Sequence, residues 1–247
     1  MKSLRFHTIL ATCLALSANF ILAQENEDYS GNSRKTMRVI AMSGNTTDAA
    51  SNLYYEYKGK KSPLYFTQGS LSTEMPTPKG KTLNIYQEIE LPVILGTDQT
   101  KTEYNLVGAI PLVSSKKSIV VISIPLDLTK NKIRGRSFKD SYTLHPEGKA
   151  RVFNLSPKAI AISAGKHSAK VAAGDEGILN WQAVAFNSVP FKIGTEGKKA
   201  GSWKIIESTE CLAPPSTRSF VFVVSSVYEN KRTVTTTTCL DYIPEEN

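Results

Sequence analysis

Cysteine, histidine and tryptophan are scarce in this chain: its 247 residues include three, three and two of them. Each scarcity excludes something. Metal centres recruit several His, Cys or carboxylate ligands at close spacing. Beyond the N-terminal segment the histidines are His145 and His167, and neither has a second ligand at i+2 or i+4, so no metal site is expected. Two cysteines, Cys211 and Cys239, remain outside that segment and are too few for a disulfide framework. There is no Gly-x-Ser-x-Gly elbow, and GTEGKKAGS at 194–202 has the composition of a phosphate-binding loop without its spacing. Glu88, Glu90, Asp140 and Asp175 could supply paired carboxylates only if folding brought two of them together. The chain therefore reads as non-enzymatic and without a cofactor.

Long apolar runs are also missing, with one exception. Lys2 and Arg5 precede an apolar stretch from Ile9 to Ala23, and a polar Gln24-Glu25-Asn26-Glu27-Asp28 follows it. That order is the pattern of a secretory signal peptide over residues 1–23, and the stretch is short for a membrane span. A lipoprotein would need Cys at the position of Gln24. A type IV pilin would keep a long apolar helix where residues 24–34 read as a flexible polar arm. We expect an exported product, periplasmic, surface-bound or extracellular, that is not an integral membrane protein after cleavage. Loss of Lys2 and Arg5 would take the net charge from +8 to +6. Export and thinly spread lysines argue against a nucleic-acid partner.

Helical periodicity is almost absent, whereas short β-branched and aromatic runs recur between turn residues: MRVIAM, LYYEYK, TLNIYQEIEL, SIVVISI, RVFNL, AIAISA and SFVFVVSSVY. This predicts an all-β protein. Three stretches also echo one another in order. RVIAMS from Arg38 matches RVFNLS from Arg151, an offset of 113. Gly59-Lys60-Lys61-Ser62 matches Gly165-Lys166-His167-Ser168, an offset of 106. SKKSIVVIS from Ser115 matches STRSFVFVVS from Ser216, an offset of 101. Colinear matches suggest a unit carried twice. We expect two tandem immunoglobulin-like β-sandwich domains, 35–128 and 137–247, joined by a basic linker at 129–136. One continuous barrel or sandwich is the alternative. In RVFNLS, strand geometry sends Phe153 and Leu155 to one face, the expected core, and Val152 and Asn154 to the other.

In the linker, an extended backbone would project Lys130, Lys132, Arg134 and Arg136 to one side about 6 to 7 Å apart. They could form a stripe for an acidic partner or merely solvate a connector. Tyr54, with Tyr65 and Phe66 nearby, and Trp203 could stack on sugar rings, although packing explains such rings as well. Trp181 reads as a buried ring. Export permits Cys211 and Cys239 to pair, worth about 3 to 4 kcal/mol on the chain-entropy model, with two buried thiols as the alternative. Asn45-Thr46-Thr47 and Asn154-Leu155-Ser156 match the N-glycosylation pattern, which we attribute to chance.

Phe138-Lys139-Asp140-Ser141, Pro146-Glu147-Gly148 and then RVFNLS from Arg151 resemble a pattern in exported β-sandwich proteins of verrucomicrobial bacteria, some linked to type IV pilus-like gene neighbourhoods. The resemblance implies an immunoglobulin-like fold and a periplasmic or surface role, and it transfers no catalytic residue. Two functional expectations follow. The first is an assembly or adhesion protein with an envelope or surface partner, associated with a pilus-like system. The second is a pair of carbohydrate-binding modules on the cell surface.

Overall fold

The computed structural model describes residues 34–42, 52–93, 100–125, 127–181, 183, 187–197, 202–228 and 231–243. The expected signal peptide, residues 24–33 of the arm and the Asn45 acceptor lie outside them. The first strands are β1 (Thr36–Ala41), β2 (Leu53–Tyr57), β3 (Lys60–Pro63), β4 (Thr67–Gln68), β5 (Met75–Pro76), β6 (Thr82–Pro92), β7 (Thr100–Pro111), β8 (Lys117–Ser123) and β9 (Arg134–Asp140). The rest are β10 (Lys149–Leu155), β11 (Ile160–Ala164), β12 (His167–Val171), β13 (Glu176–Asn180), β14 (Ser188–Glu196), β15 (Trp203–Leu212), β16 (Thr217–Tyr228) and β17 (Lys231–Tyr242). Among the described residues there is no helix, so the protein is all-β and fits the β-sandwich class.

The strands make four sheets: A, ordered β4-β1-β8-β9 with β5 against β1; B, β3-β2-β6-β7; C, β13-β10-β16-β17; and D, β12-β11-β14-β15. Three apolar cores lie between them. Met37, Val39, Val120 and Ile122 of sheet A meet Tyr55, Leu83 and Ile85 of sheet B. Val152, Val221 and Val223 of sheet C meet Ile162, Phe191 and Ile193 of sheet D. The opposite faces of A and C then pack on each other through Ile40, Ile119, Val121 and Phe138 against Phe153, Phe220 and Phe222. The layer order is B-A-C-D, and residues 36–247 form one compact unit.

This order explains the sequence of the inner strands. A sheet covered on both faces has no solvent side, so its strands read as continuous apolar runs instead of alternating ones. The central five residues of β8 and of β10 are all buried. Phe153 is fully buried, as expected, with Leu155 half-buried beside it, but Val152 and Asn154 are fully buried too. Strand β10 has a core on each side. Asn154 satisfies its burial by donating from Nδ2 to the carbonyls of Lys158, Val171 and Ala172.

The pairing registers follow the sequence echo. Strands β1 and β8 are parallel with Arg38 opposite Ile119, and β10 and β16 are parallel with Arg151 opposite Phe220. Lys117 stands opposite Asp140, and Arg218 opposite Asp241. The Gly-Lys echo slips by one place. Tyr57 pairs with Lys60 around Lys58-Gly59, whereas Ala164 pairs with His167 around Gly165-Lys166. Gly59 is thus the second residue of its turn and Gly165 the first, because two-residue hairpin turns accept a positive φ at either place.

The expected linker at 129–136 is corrected. Its last three residues, Arg134 to Arg136, belong to β9, which pairs along its whole length with β8. Charge and glycine in KNKIRGR suggested a connector, yet Gly135 is there for closeness. A Cβ at that position would meet Ile110 Cδ1 and the Val121 carbonyl oxygen, each at 2.5 Å.

Candidate functional site

Residues opposite one another in neighbouring strands share a face of the sheet. In β9, Arg134 lies opposite Ser123, Arg136 opposite Val121, Phe138 opposite Ile119 and Asp140 opposite Lys117. All four therefore point into the layer between sheets A and C. The middle of that layer is aromatic: Phe138 and Phe153 have ring centroids 4.3 Å apart, and Phe153 and Phe222 stack at 5.0 Å. Its two ends carry the chemistry.

At one end Met42, Val121, Ile122, Ser123, Arg134, Arg136, Leu155, Val224 and Ser225 enclose a cavity of about 260 Å³. A second cavity of about 190 Å³ adjoins it, shares Ser123 and Arg134, and adds Asn131 and Lys132. Lys132, Arg134 and Arg136, three of the four stripe residues, thus line a groove. Lys130 is separate, held in the preceding turn by Asp127 at 3.2 Å. Lys132 donates to the Leu106 carbonyl and Arg136 to that of Gly174.

At the other end four charges alternate. Arg38 reaches Asp140 and Asp241 at 2.7 Å each, and Arg218 reaches Asp140 at 2.9 Å and Asp241 at 2.7 Å. The Arg218 and Asp140 side chains are 2% and 3% exposed, so these ions are paired out of water. Burial alone would raise the Asp241 carboxyl, but hydrogen bonds and charge from Arg38 and Arg218 hold it below its ordinary value. Asp140, one of the candidate acids, is therefore an ion-pair partner. Of the other candidate acids, Glu88 accepts a hydrogen bond from Tyr104. Sequence reading missed Arg38, Arg218 and Asp241 as a group. A signal existed, since the offset of 101 that relates Ser115 to Ser216 also carries Lys117 to Arg218 and Asp140 to Asp241.

The aromatic candidates fall on the outer layers. On sheet B, Tyr54 and Tyr104 meet edge to face at 5.3 Å, and the Tyr104 hydroxyl donates to Glu88 Oε2 at 2.8 Å. Partial desolvation and the Glu88 hydrogen bond raise the Tyr54 phenol above its ordinary pKa. Lys61 Nζ sits 3.2 Å from the Tyr86 ring centre, and Tyr65 is largely exposed. Trp203 opens β15 on sheet D with Lys170 over its ring at 5.4 Å. Tyr54 and Trp203 therefore occupy opposite outer layers and do not form one platform. Trp181 is buried against Phe191 and donates from Nε1 to the Leu212 carbonyl.

The disulfide expectation is also corrected: Cys211 and Cys239 are both free. Cys211 packs toward the C–D core beside Thr238, whereas Cys239, one residue further along β17, projects into the A–C core and contacts the Gly69 carbonyl at 3.0 Å. Strand alternation puts the two sulfurs on opposite sides of sheet C. Burial pushes the Cys239 thiol up to about 11. Thiol titration at pH 8 should leave Cys239 unmodified until the protein is denatured, and the non-reduced mass of a chain lacking residues 1–23 should show two thiols. Rapid native labelling of Cys239, or a mass two hydrogens short, would contradict this arrangement.

Among the described residues no cluster of three His, Cys, Asp or Glu side chains could hold a metal ion, and no helix is long and apolar enough to cross a membrane. The fold and these sites define a multi-sheet protein of the β-sandwich class. No protein-family model matches the chain, and no curated protein matches it in sequence.

Proposed function

We propose that this chain is an exported, non-enzymatic protein built from two copies of one immunoglobulin-like sandwich, sheets A with B and C with D, that acts by binding in surface assembly or adhesion. The matching registers of β1 with β8 and β10 with β16 support the duplication. The resemblance of the 138–156 region to exported, pilus-linked sandwiches and the N-terminal signal pattern support the setting. In this reading the two copies meet through equivalent faces, as in an isologous dimer. The observation that carries a binding role is the use of the surfaces: the inner sheets are consumed in packing, and the outer layers carry exposed Tyr65, Tyr104, Leu106, Trp203, Ile205 and Leu212. Tyr104 with Leu106 on β7, and Trp203 with Ile205 on β15, stand at i, i+2 spacing and so cluster on one strand face, as the apolar patches of contact sites do. Cell fractionation with crosslinking should place the protein in the envelope and capture one defined surface partner. A freely secreted monomer without such a partner would refute the assembly reading.

A glycan ligand is the second reading, favoured by the Tyr54, Tyr104 and Glu88 cluster, where a carboxylate fixes one of two perpendicular rings. On a glycan array, Tyr104→Ala should reduce any signal at least about tenfold, the scale of a lost stacking ring with its hydrogen bond. Silence across neutral and acidic glycans, or a signal indifferent to Tyr104, would sink it.

A further inference from the structure

We propose that the cavity at the Arg134 end of the A–C layer binds a small apolar carboxylate. Both ends of this layer carry two arginines pointing inward. At the far end Arg38 and Arg218 are neutralised by Asp140 and Asp241. At the near end the Arg134 guanidinium has neither an ion pair nor a hydrogen bond among the described residues, and Arg136 has the Gly174 carbonyl and the Phe138 ring at 5.2 Å but no carboxylate. Both arginines are exposed at the rim, so their guanidinium groups stay available to an anion above an apolar floor.

Packing does not demand them. In sheet C the corresponding edge strand is β17, and opposite Val224 and Phe222 it places Thr235 and Thr237. Those positions face the same layer as Arg134 and Arg136 do from sheet A. One side of the layer is therefore closed with threonine and the other with arginine. This comparison needs only the strand registers and holds whether or not the outer faces bind a partner.

The lining then fixes the ligand class. Met42, Val121, Leu155 and Val224 offer apolar surface, Ser123 offers a hydroxyl donor, and the guanidinium forks match the two oxygens of a carboxylate. A volume of about 260 Å³ suits a small molecule, and the adjoining space beside Lys132 continues the positive wall. A bare inorganic anion would leave the floor unfilled, and a neutral alkyl chain would leave the arginines unpaired.

The test is isothermal titration of the whole protein with octanoate, octanol and inorganic phosphate. Octanoate should bind saturably at one site, at least about tenfold tighter than either control. Arg134→Gln should weaken it about tenfold, and Ser123→Trp, which plugs the cavity from an exposed position on the same face as Arg134, should abolish it. Lys139→Gln, on the other face of β9, should leave it unchanged. Both active substitutions are at exposed positions, and unchanged melting temperatures would show that the fold is retained. Absence of saturable octanoate binding, octanol or phosphate binding as tightly, or equal effects of R134Q and K139Q would each overturn the assignment.

Discussion

Asp140→Ala should lower the unfolding free energy by about 3 to 5 kcal/mol, the range found when one member of a buried ionic group is removed. The side chain is 3% exposed and stands between Arg38 and Arg218, which would then share Asp241 alone. Arg218 suffers most because its own exposure is 2% and its guanidinium already lies over the Tyr142 ring at 4.3 Å, leaving no path to water without unpacking that layer end. Asp241→Ala should cost less, since Asp241 is 15% exposed and the vacated space can hydrate. The double replacement Asp140→Leu with Arg218→Met removes charge of both signs and should recover much of the loss. Urea unfolding of the three variants checks the order. A loss below about 1 kcal/mol for Asp140→Ala would mean the four charges are effectively solvated.

Acid should destabilise the protein well before its carboxylates titrate. His145 is fully buried, edge-on to Phe220 at 4.6 Å, and its Nε2 is 2.9 Å from the Lys149 carbonyl. Burial lowers its pKa to about 4 from 6.5; the Lys149 carbonyl opposes this, and the charges of Arg218 and Arg151 reinforce it. Between pH 6.5 and 4 the unfolded chain holds a proton that the folded chain does not, so stability falls with pH across that window, by about 3 kcal/mol in total. Asp241 acts later and for a different reason. Its folded pKa is depressed, so its contribution is complete above the ordinary aspartate value and is lost as pH falls through the lower folded one. His145→Gln should flatten the first phase and leave the second. A profile in which both substituted and unsubstituted proteins keep constant stability from pH 7 to 4.5 would rule out a buried neutral histidine.

The all-β character was legible because it rests on local pattern. SIVVISI and FVFVV are β-branched or aromatic, strand-length, and bounded by turn residues. The pairings themselves were not legible, because an echo does not say which strands lie side by side. Once the pairings are known, the offsets of 113 and 101 do reappear in Arg38 opposite Ile119 and Arg151 opposite Phe220. The slip at Gly59 and Gly165 marks the limit of such matching, since a turn can move its glycine by one place without changing the strands around it.

The basic segment was misread because strand β9 contains few of the residues that announce strands. Arg134, Gly135, Arg136 and Lys139 pattern like a loop, and only pairing with β8 and the close approach around Gly135 make the segment extended. The cysteines failed in another way. Spacing along the chain says nothing about which side of a sheet a sulfur leaves from, and Thr238 rather than Cys239 faces the side where Cys211 lies.

Sequence alone determined what depends on neighbours along the chain: the strands, the colinear echo, and the scarcity of histidine and cysteine. Only tertiary structure decided that sheets A and C lie back to back, because burial of a second face depends on what packs against it. That stacking converts β10 from a half-exposed strand into one buried on both sides. It also assembles Arg38, Asp140, Arg218 and Asp241 from four separate strands. At the opposite end it turns Arg134 and Arg136 from presumed linker charges into the wall of a cavity, because long-range contact, not local pattern, sets the direction in which an edge strand faces.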